Sequence, residues 1–465
     1  MSFQKVLKRF RKTEETSYMD EMDTTHVTIH DMSRWFDAPL VLGETRPIIG
    51  NYGVRLIPTL AWGIKKRFML MEGDPGSGKS EINNATIALL FGDDGLQGDN
   101  PELYTLVTAS DKSQVYQQPK IEFATHAFVP ELQNAENHFP MLKLWAEGKQ
   151  FKRDVLMPNK EVAEFRAPPL PVLGSLAIGN EIIKKLPLEV MRRFMHAWTS
   201  TGEAINAEIQ DMLARIRSFP DEELPGMTID ELYALRAKLH TAMEDERRVI
   251  NPYLPAVQKY IPKRFTASNS YVSYFFDMIE AVTLFHAENR HSTDKYVFST
   301  LADNFLTILI TGDTFINLSL GIPDIGRELL NAMPFVETFG SLSAQGGKRA
   351  SKDGNKLSVP EIMNIENKLG VYRDASTTEE IMEKLMDAGY LMVDYEGRKP
   401  FYYRVSEVGT ADVLNWSSVA DFGKDWMEKH FYIEKDIWMD IEGDKYVVPF
   451  GEDAGKERSV FDKGE

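Results

Sequence analysis

Cysteine is missing from all 465 residues. That removes disulfides and thiolate zinc sites, and it suits a protein kept inside a cell. Long apolar runs are missing as well. Nothing approaches the roughly 18 consecutive residues of a membrane-spanning helix. The first twelve residues are basic but no apolar stretch follows them, so no secretory signal is expected. Positive charge is scarce: 53 Lys and Arg stand against 70 Asp and Glu, a formal net charge of −17. So acidic a chain is not one coated by nucleic acid, and any DNA contact must come from a local basic cluster. Internal repeats and low-complexity tracts are also absent. With 43% apolar and 26% charged residues, the chain has the composition of a soluble globular protein long enough for two or three domains.

What is present is a phosphate loop. The apolar run 68–71 reads as a buried strand and leads into Gly73-Asp74-Pro75-Gly76-Ser77-Gly78-Lys79-Ser80, then into a helical pattern from Glu81 to residue 91. This is G-x-x-x-x-G-K-S between a strand and a helix, the context the motif requires. The glycines let successive backbone N–H groups turn inward around a phosphate, where Cβ atoms would obstruct it. The helix that follows points its positive end at the same anion. Lys79 can reach the β- and γ-phosphates of ATP, and Ser80 can ligate Mg²⁺.

Downstream come a short β-like run at 103–107 and a helical stretch at 110–117, and then residues 122–129, which read as a further strand ending at Pro130-Glu131. An acid in that place can orient the attacking water or help hold the metal. Glu136 is the reserve, and a surface glutamate at a strand end is the plain alternative. Residues 149–166 read as a hairpin turning at Met157-Pro158-Asn159-Lys160. Lys149, Lys152, Arg153, Lys160 and Arg166 gather there. Such a hairpin can track a phosphate backbone inside a ring, or it can simply be solvated. Residues 168–180 form another apolar strand ending at Asn180, whose amide can bond the attacking water or the γ-phosphate. Ser175 is the weaker candidate, and a turn-forming Asn is the structural alternative. Arg192 and Arg193 follow Leu186-Pro187 and precede Phe194. They are either solvated or aimed across a subunit boundary at a neighbour's γ-phosphate.

Taken in order, these parts resemble the AAA+ ATPases, and within them the hairpin-bearing branch of MCM and of virus- or plasmid-borne replication helicases. The resemblance covers roughly residues 45–405. It implies an α/β P-loop core at 46–200 after an N-terminal extension (1–45), a helical lid (201–345), a winged helix (346–410) and an acidic, aromatic tail (411–465). Glu131 would then be the Walker-B acid and a metal-site residue, Asn180 sensor 1, and Arg192 or Arg193 the arginine finger. The hairpin would grip single-stranded DNA in the pore of a homohexamer. The sensor-2 arginine usually opens the lid. Here residues 267–270 lie near that place and Arg264 just before it. The second helix of the winged-helix pattern carries Glu379, Glu380, Glu383 and Asp387, which suits protein contact about as well as DNA reading.

Three functions therefore stand as expectations: an ATP-driven ring helicase or translocase taking part in DNA replication; a non-translocating switch ATPase such as a loader, initiator or defence regulator; and, third, a P-loop kinase. At the N-terminus Phe3, Leu7 and Phe10 fit a short amphipathic helix or a solvated tail. Trp35 and Phe36 are expected to anchor the N-terminal segment, and Trp416, Trp426, Phe431 and Trp438 to pack the tail on the body or on a neighbour.

Overall fold

The computed structural model describes residues 22–106, 111–156, 162–177, 193–199, 203–218, 226–258, 268–319, 329–330, 332–333, 356–369, 372–387, 390–396, 399–404, 416–430 and 445–461. Its centre is a five-stranded sheet of β1 (Met69–Gly73), β2 (Leu103–Thr105), β3 (His126–Val129), β6 (Val172–Ala177) and β7 (Met195–Thr199). Between β3 and β6 the chain makes a separate antiparallel hairpin, β4 (Phe151–Leu156) with β5 (Val162–Ala167). The sheet order is β2-β3-β6-β1-β7, and every neighbouring pair is parallel. A parallel strand in mid-sheet is covered on both faces, which is why β1 reads as an unbroken apolar run rather than an alternation. Met69 and Met71 face one apolar cluster with Ile82, Leu173 and Met195. Leu70 faces a second with Val129, Leu142, Trp145 and Phe165.

Helices cover both faces. Helix α1 (Ile29–Asp37) buries Trp35 and Phe36, and the Trp35 indole N–H donates to the Ala85 carbonyl at 3.0 Å. That carbonyl belongs to α2 (Lys79–Gln97), the helix that leaves the phosphate loop. Helix α2 breaks at Gly92 (φ 68°, ψ −176°) and resumes for one short stretch, within residues 92–101 that read in sequence only as polar and rich in Gly and Asp. Helix α3 (Asp111–Phe123) holds Pro119 in its interior and runs past the expected end, so residues 122 and 123 are helix, and strand β3 begins only at His126. Helix α4 (Phe139–Ala146) leads to the hairpin.

Beyond the sheet come α5 (Glu203–Ser218), α6 (Ile229–Glu244), α7 (Ser268–Phe285) and α8 (Leu301–Ser319). Residues 229–250 and 296–310 each read in sequence as helix, and both expectations change here. Helix α6 stops at Glu244, and Arg248–Ile250 pairs in parallel with Tyr296–Phe298. Residues 296–310 are therefore a strand and then a helix. The helix start is fixed by a reciprocal cap: the Asp303 N–H donates to Thr300 Oγ1 at 3.3 Å, and the Thr300 N–H donates to Asp303 Oδ2 at 3.0 Å.

A small module follows: β8 (Leu357–Ser358), α9 (Val359–Lys368), α10 (Ala375–Asp387), β9 (Leu391–Glu396) and β10 (Lys399–Arg404), with sheet order β8-β10-β9. It has its own core of Val359, Ile362, Ile381, Leu385, Tyr390 and Tyr402. The tail turns back to the body. Helix α11 (Trp416–His430) lies so close to Tyr253 that a Cβ on Gly423 would come within 2.3 Å of the ring. The pair Lys445–Val447 and Glu457–Ser459 brings Tyr446 to Phe305, with ring centroids 4.8 Å apart, and the Pro449 carbonyl to the His30 ring at 3.3 Å.

Candidate functional site

In a parallel sheet all the strands end on one edge, and that edge carries the phosphate loop. Gly73 is the last residue of β1 and lies opposite Thr199 on β7. A Cβ on Gly73 would sit 2.2 Å from Thr199 Oγ1 and 2.7 Å from Ser77 Oγ, so only glycine fits. Gly76 (φ 82°) and Gly78 (φ 86°) take left-handed backbone, and Gly78 is the residue from which α2 starts. Ser77 is buried, with its Oγ 2.5 Å from Thr199 Oγ1. Pro75, Gly76 and Ser80 are exposed at the mouth of the loop. Glu81 is half-buried, in the first turn of α2.

Lys79 is curled into the loop. Its ammonium donates to the Gly73 carbonyl at 2.8 Å, the Asp74 carbonyl at 2.6 Å and Ser77 Oγ at 3.3 Å. Burial pulls its pKa down, opposed by the Asp74 and Glu72 carboxylates. Glu72 is itself buried beneath the loop. It accepts from the Trp198 indole N–H at 3.1 Å and pairs with His196 on β7.

Val129, Gly174, Leu70 and His196 form one row across β3, β6, β1 and β7. Glu131 is two residues beyond Val129, hence on the loop's edge of the sheet. It is displaced sideways from β1 by two strand spacings, about 10 Å. Its backbone is extended and its carboxylate accepts from the Asn134 side-chain amide. Ser175 bridges the two strands: its hydroxyl donates to the Pro130 carbonyl and so ties the acid's backbone to β6. Glu136 begins a short 3-10 turn farther along. Asn180, Arg192, Lys160 and Arg264 lie outside the described residues.

Arg193 is on the opposite edge. It is exposed, donates to the Ala146 carbonyl at 2.8 Å, and precedes Met195, the partner of Met69 at the start of β1. The strand from Met195 to Thr199, the partner of Gly73, spans about 13 Å, and Arg193 lies in a turn before that strand begins. It cannot reach the phosphate loop of its own chain.

The hairpin is banded in charge. Residues across β4 and β5 pair as Lys152 with Arg166, Asp154 with Glu164, and Leu156 with Val162. One face therefore shows a basic pair, then an acidic pair, then an apolar pair toward the tip. Leu156 is 61% and Val162 66% exposed, large values for such residues. Arg153 is on the other face, with Val155 and Phe165. Lys149 lies before the hairpin and is paired with Glu147 at 2.6 Å. A tally of cations alone misses the acids interleaved with them.

One contact at the loop has no sequence motif behind it. Arg373, in the turn between α9 and α10, donates a bidentate pair of bonds to Asp74, NH2 to Oδ2 at 2.8 Å and Nε to Oδ1 at 3.3 Å. No local pattern announces it, because the two residues are 299 positions apart.

No family model matches the chain, and neither does any curated protein. The fold itself defines the class: an α/β protein whose parallel sheet, flanked by helices, is compatible with a P-loop core. Among the described residues no helix is long and apolar enough to cross a membrane, and no cluster of three His, Asp or Glu could hold a metal ion. A Mg²⁺ ion of the kind that accompanies ATP needs no such cluster, because the phosphates and water supply most of its ligands. The exposed Ser80 hydroxyl, the glycine cradle and the buried Lys79 ammonium all fit that group.

Proposed function

We propose that the chain is an ATP hydrolase of the hairpin-bearing AAA+ kind, working as a homohexameric ring on single-stranded DNA. In this reading residues 201–345 are its lid and residues 346–410 its winged helix. The observation that carries the reading is the division of the candidate parts between two opposite edges of one parallel sheet. Phosphate loop and Glu131 share one edge, and Arg193 stands on the other, before the start of a strand about 13 Å long. Such parts can meet only when two copies abut head to tail. The hairpin between β3 and β6 supports the same reading, since it stands at the point in the chain where that branch carries its own, with Leu156 and Val162 exposed at its far end.

Bound Mg²⁺ and ATP would supply a polarised γ-phosphate open to in-line attack by water. Lys79 leaves its carbonyls to neutralise the phosphate oxygens, and the loop amides surround them. Ser80 offers its hydroxyl to the metal. Glu131 orients the water and takes its proton, with Ser175 fixing the segment that carries it. Arg192 or Arg193 of a neighbour neutralises charge as it develops.

The test is complementation. Lys79→Ala and the double variant Arg192→Ala/Arg193→Ala should each lose ATP hydrolysis. Mixed together they should recover part of it, because an intact loop then faces an intact arginine. No recovery on mixing, or full hydrolysis by an isolated single copy, would end the ring reading.

The switch ATPase remains the second reading. The acidic pair Asp154 and Glu164 favours it, since it stands on the hairpin face where a DNA strand would be gripped.

A further inference from the structure

The guanidinium of Arg373 is held on both sides. Toward the loop it forks onto Asp74; toward its own module it reaches Glu366 Oε1 at 3.4 Å. Glu366 is fully buried, and its other oxygen accepts from the Thr378 hydroxyl at 2.6 Å. Burial pushes the Glu366 carboxyl up, which is the cost of holding a carboxylate there to steady the arginine. The Arg373 side chain is 6% exposed and that of Asp74 19%. A surface ion pair does not look like this; the arginine is fixed in place and planar against the carboxylate it meets.

Asp74 is the awkward residue of the loop. Its carboxylate sits in the turn built to receive phosphate, and a negative charge there repels a polyphosphate. We propose that Arg373 is a positioning residue of the phosphate loop, supplied by the C-terminal module of the same chain. Its charge cancels that of Asp74, so the loop takes a nucleoside triphosphate well only while the module is docked. The inference rests on the nucleotide reading of the loop. It adds a residue to that site and gives the module at 356–404 a role, that of licensing the loop.

Charge counting makes the test. In the wild type Asp74 and Arg373 sum to zero, and Glu366, on the other side of the arginine, is common to every variant. Arg373→Ala leaves −1, Asp74→Asn leaves +1, and the double variant returns to zero. A fluorescent ATP analogue with Mg²⁺ is titrated into each full-length protein, with thermal melting to confirm folding. Arg373→Ala should bind about tenfold more weakly, and the neutral but polar Arg373→Gln should match it. Asp74→Asn should bind more tightly than wild type, and the double variant should fall back to wild-type affinity within about twofold. Added salt should shrink every difference. A purely structural latch would be broken alike in all three variants and would show no such order, which would overturn the proposal. So would wild-type affinity in Arg373→Ala. If the wild type binds no better than Lys79→Ala, the nucleotide reading itself has failed, a different signature from either.

Discussion

Ser175 shows how much a single hydroxyl can be asked to do in this sheet. It is buried on β6, and its proton goes to the Pro130 carbonyl one strand away, immediately before Glu131. Ser175→Ala removes the donor and leaves the half-buried Pro130 carbonyl facing a methyl group, at a cost of about 1 kcal/mol. If Glu131 is the hydrolytic acid, the larger effect falls on kcat. Nucleotide affinity and KM should hardly move, while turnover drops several-fold; steady-state ATPase kinetics would show the split. Equal losses in both would mean that Ser175 supports the fold and not the acid. The eight residues of the loop were legible in sequence because their chemistry is contiguous. Bonds such as Ser175 to Pro130, 45 positions apart, and Arg373 to Asp74, 299 apart, were not, because nothing local encodes which distant residue will arrive.

At the scale of elements, strand β3 and the hairpin each make a prediction. His126 opens β3 with its ring fully buried between Trp62 and Phe91. Nε2 lies 3.2 Å from the Trp62 carbonyl, and Nδ1 lies 2.9 Å from the Thr125 hydroxyl, so a neutral ring satisfies both. Desolvation drops its pKa from 6.5 to about 4. Between those values the unfolded chain binds a proton that the folded one refuses. Stability from this group is therefore whole above pH 6.5 and is lost as pH falls toward 4, by about 3 kcal/mol in all. Urea melts at pH 7 and pH 5 should show about 2 kcal/mol of loss that His126→Gln lacks. The hairpin prediction concerns sign. Asp154→Asn with Glu164→Gln should raise affinity for single-stranded DNA roughly tenfold, and Lys152→Ala with Arg166→Ala should lower it comparably, read by fluorescence anisotropy. Indifference to both pairs would take this face away from any nucleic acid. The hairpin was visible in the sequence through its turn chemistry, and its register was not; register is what set the acids opposite one another. The boundary of β3 was missed because α3 tolerates Pro119 in its interior and carries on to Phe123.

The molecule as a whole is closed by its own far end. The His30 ring and the Pro449 carbonyl meet across 419 positions, Tyr52 stacks on Phe450 with centroids 6.1 Å apart, and Tyr446 completes the packing around Phe305. Whole-chain closure of this kind is invisible to motif reading, which showed the order of parts but not that the last segment returns to the first helix. The α/β class was readable, because β1 and the helix after it carry the periodicities of their kinds. A similar return brings Arg373 to the loop, so two late stretches of chain finish work begun by early ones. For a chain emerging from a ribosome this has a plain meaning. The surfaces around His30 and Tyr52 wait, uncovered, until residues 449 and 450 have been made, about four hundred positions later, and the phosphate loop waits 299 positions for its arginine. Folding that depends on such remote meetings is slow and exposed to premature association, so the newborn protein has good reason to be sheltered until those distant partners are out.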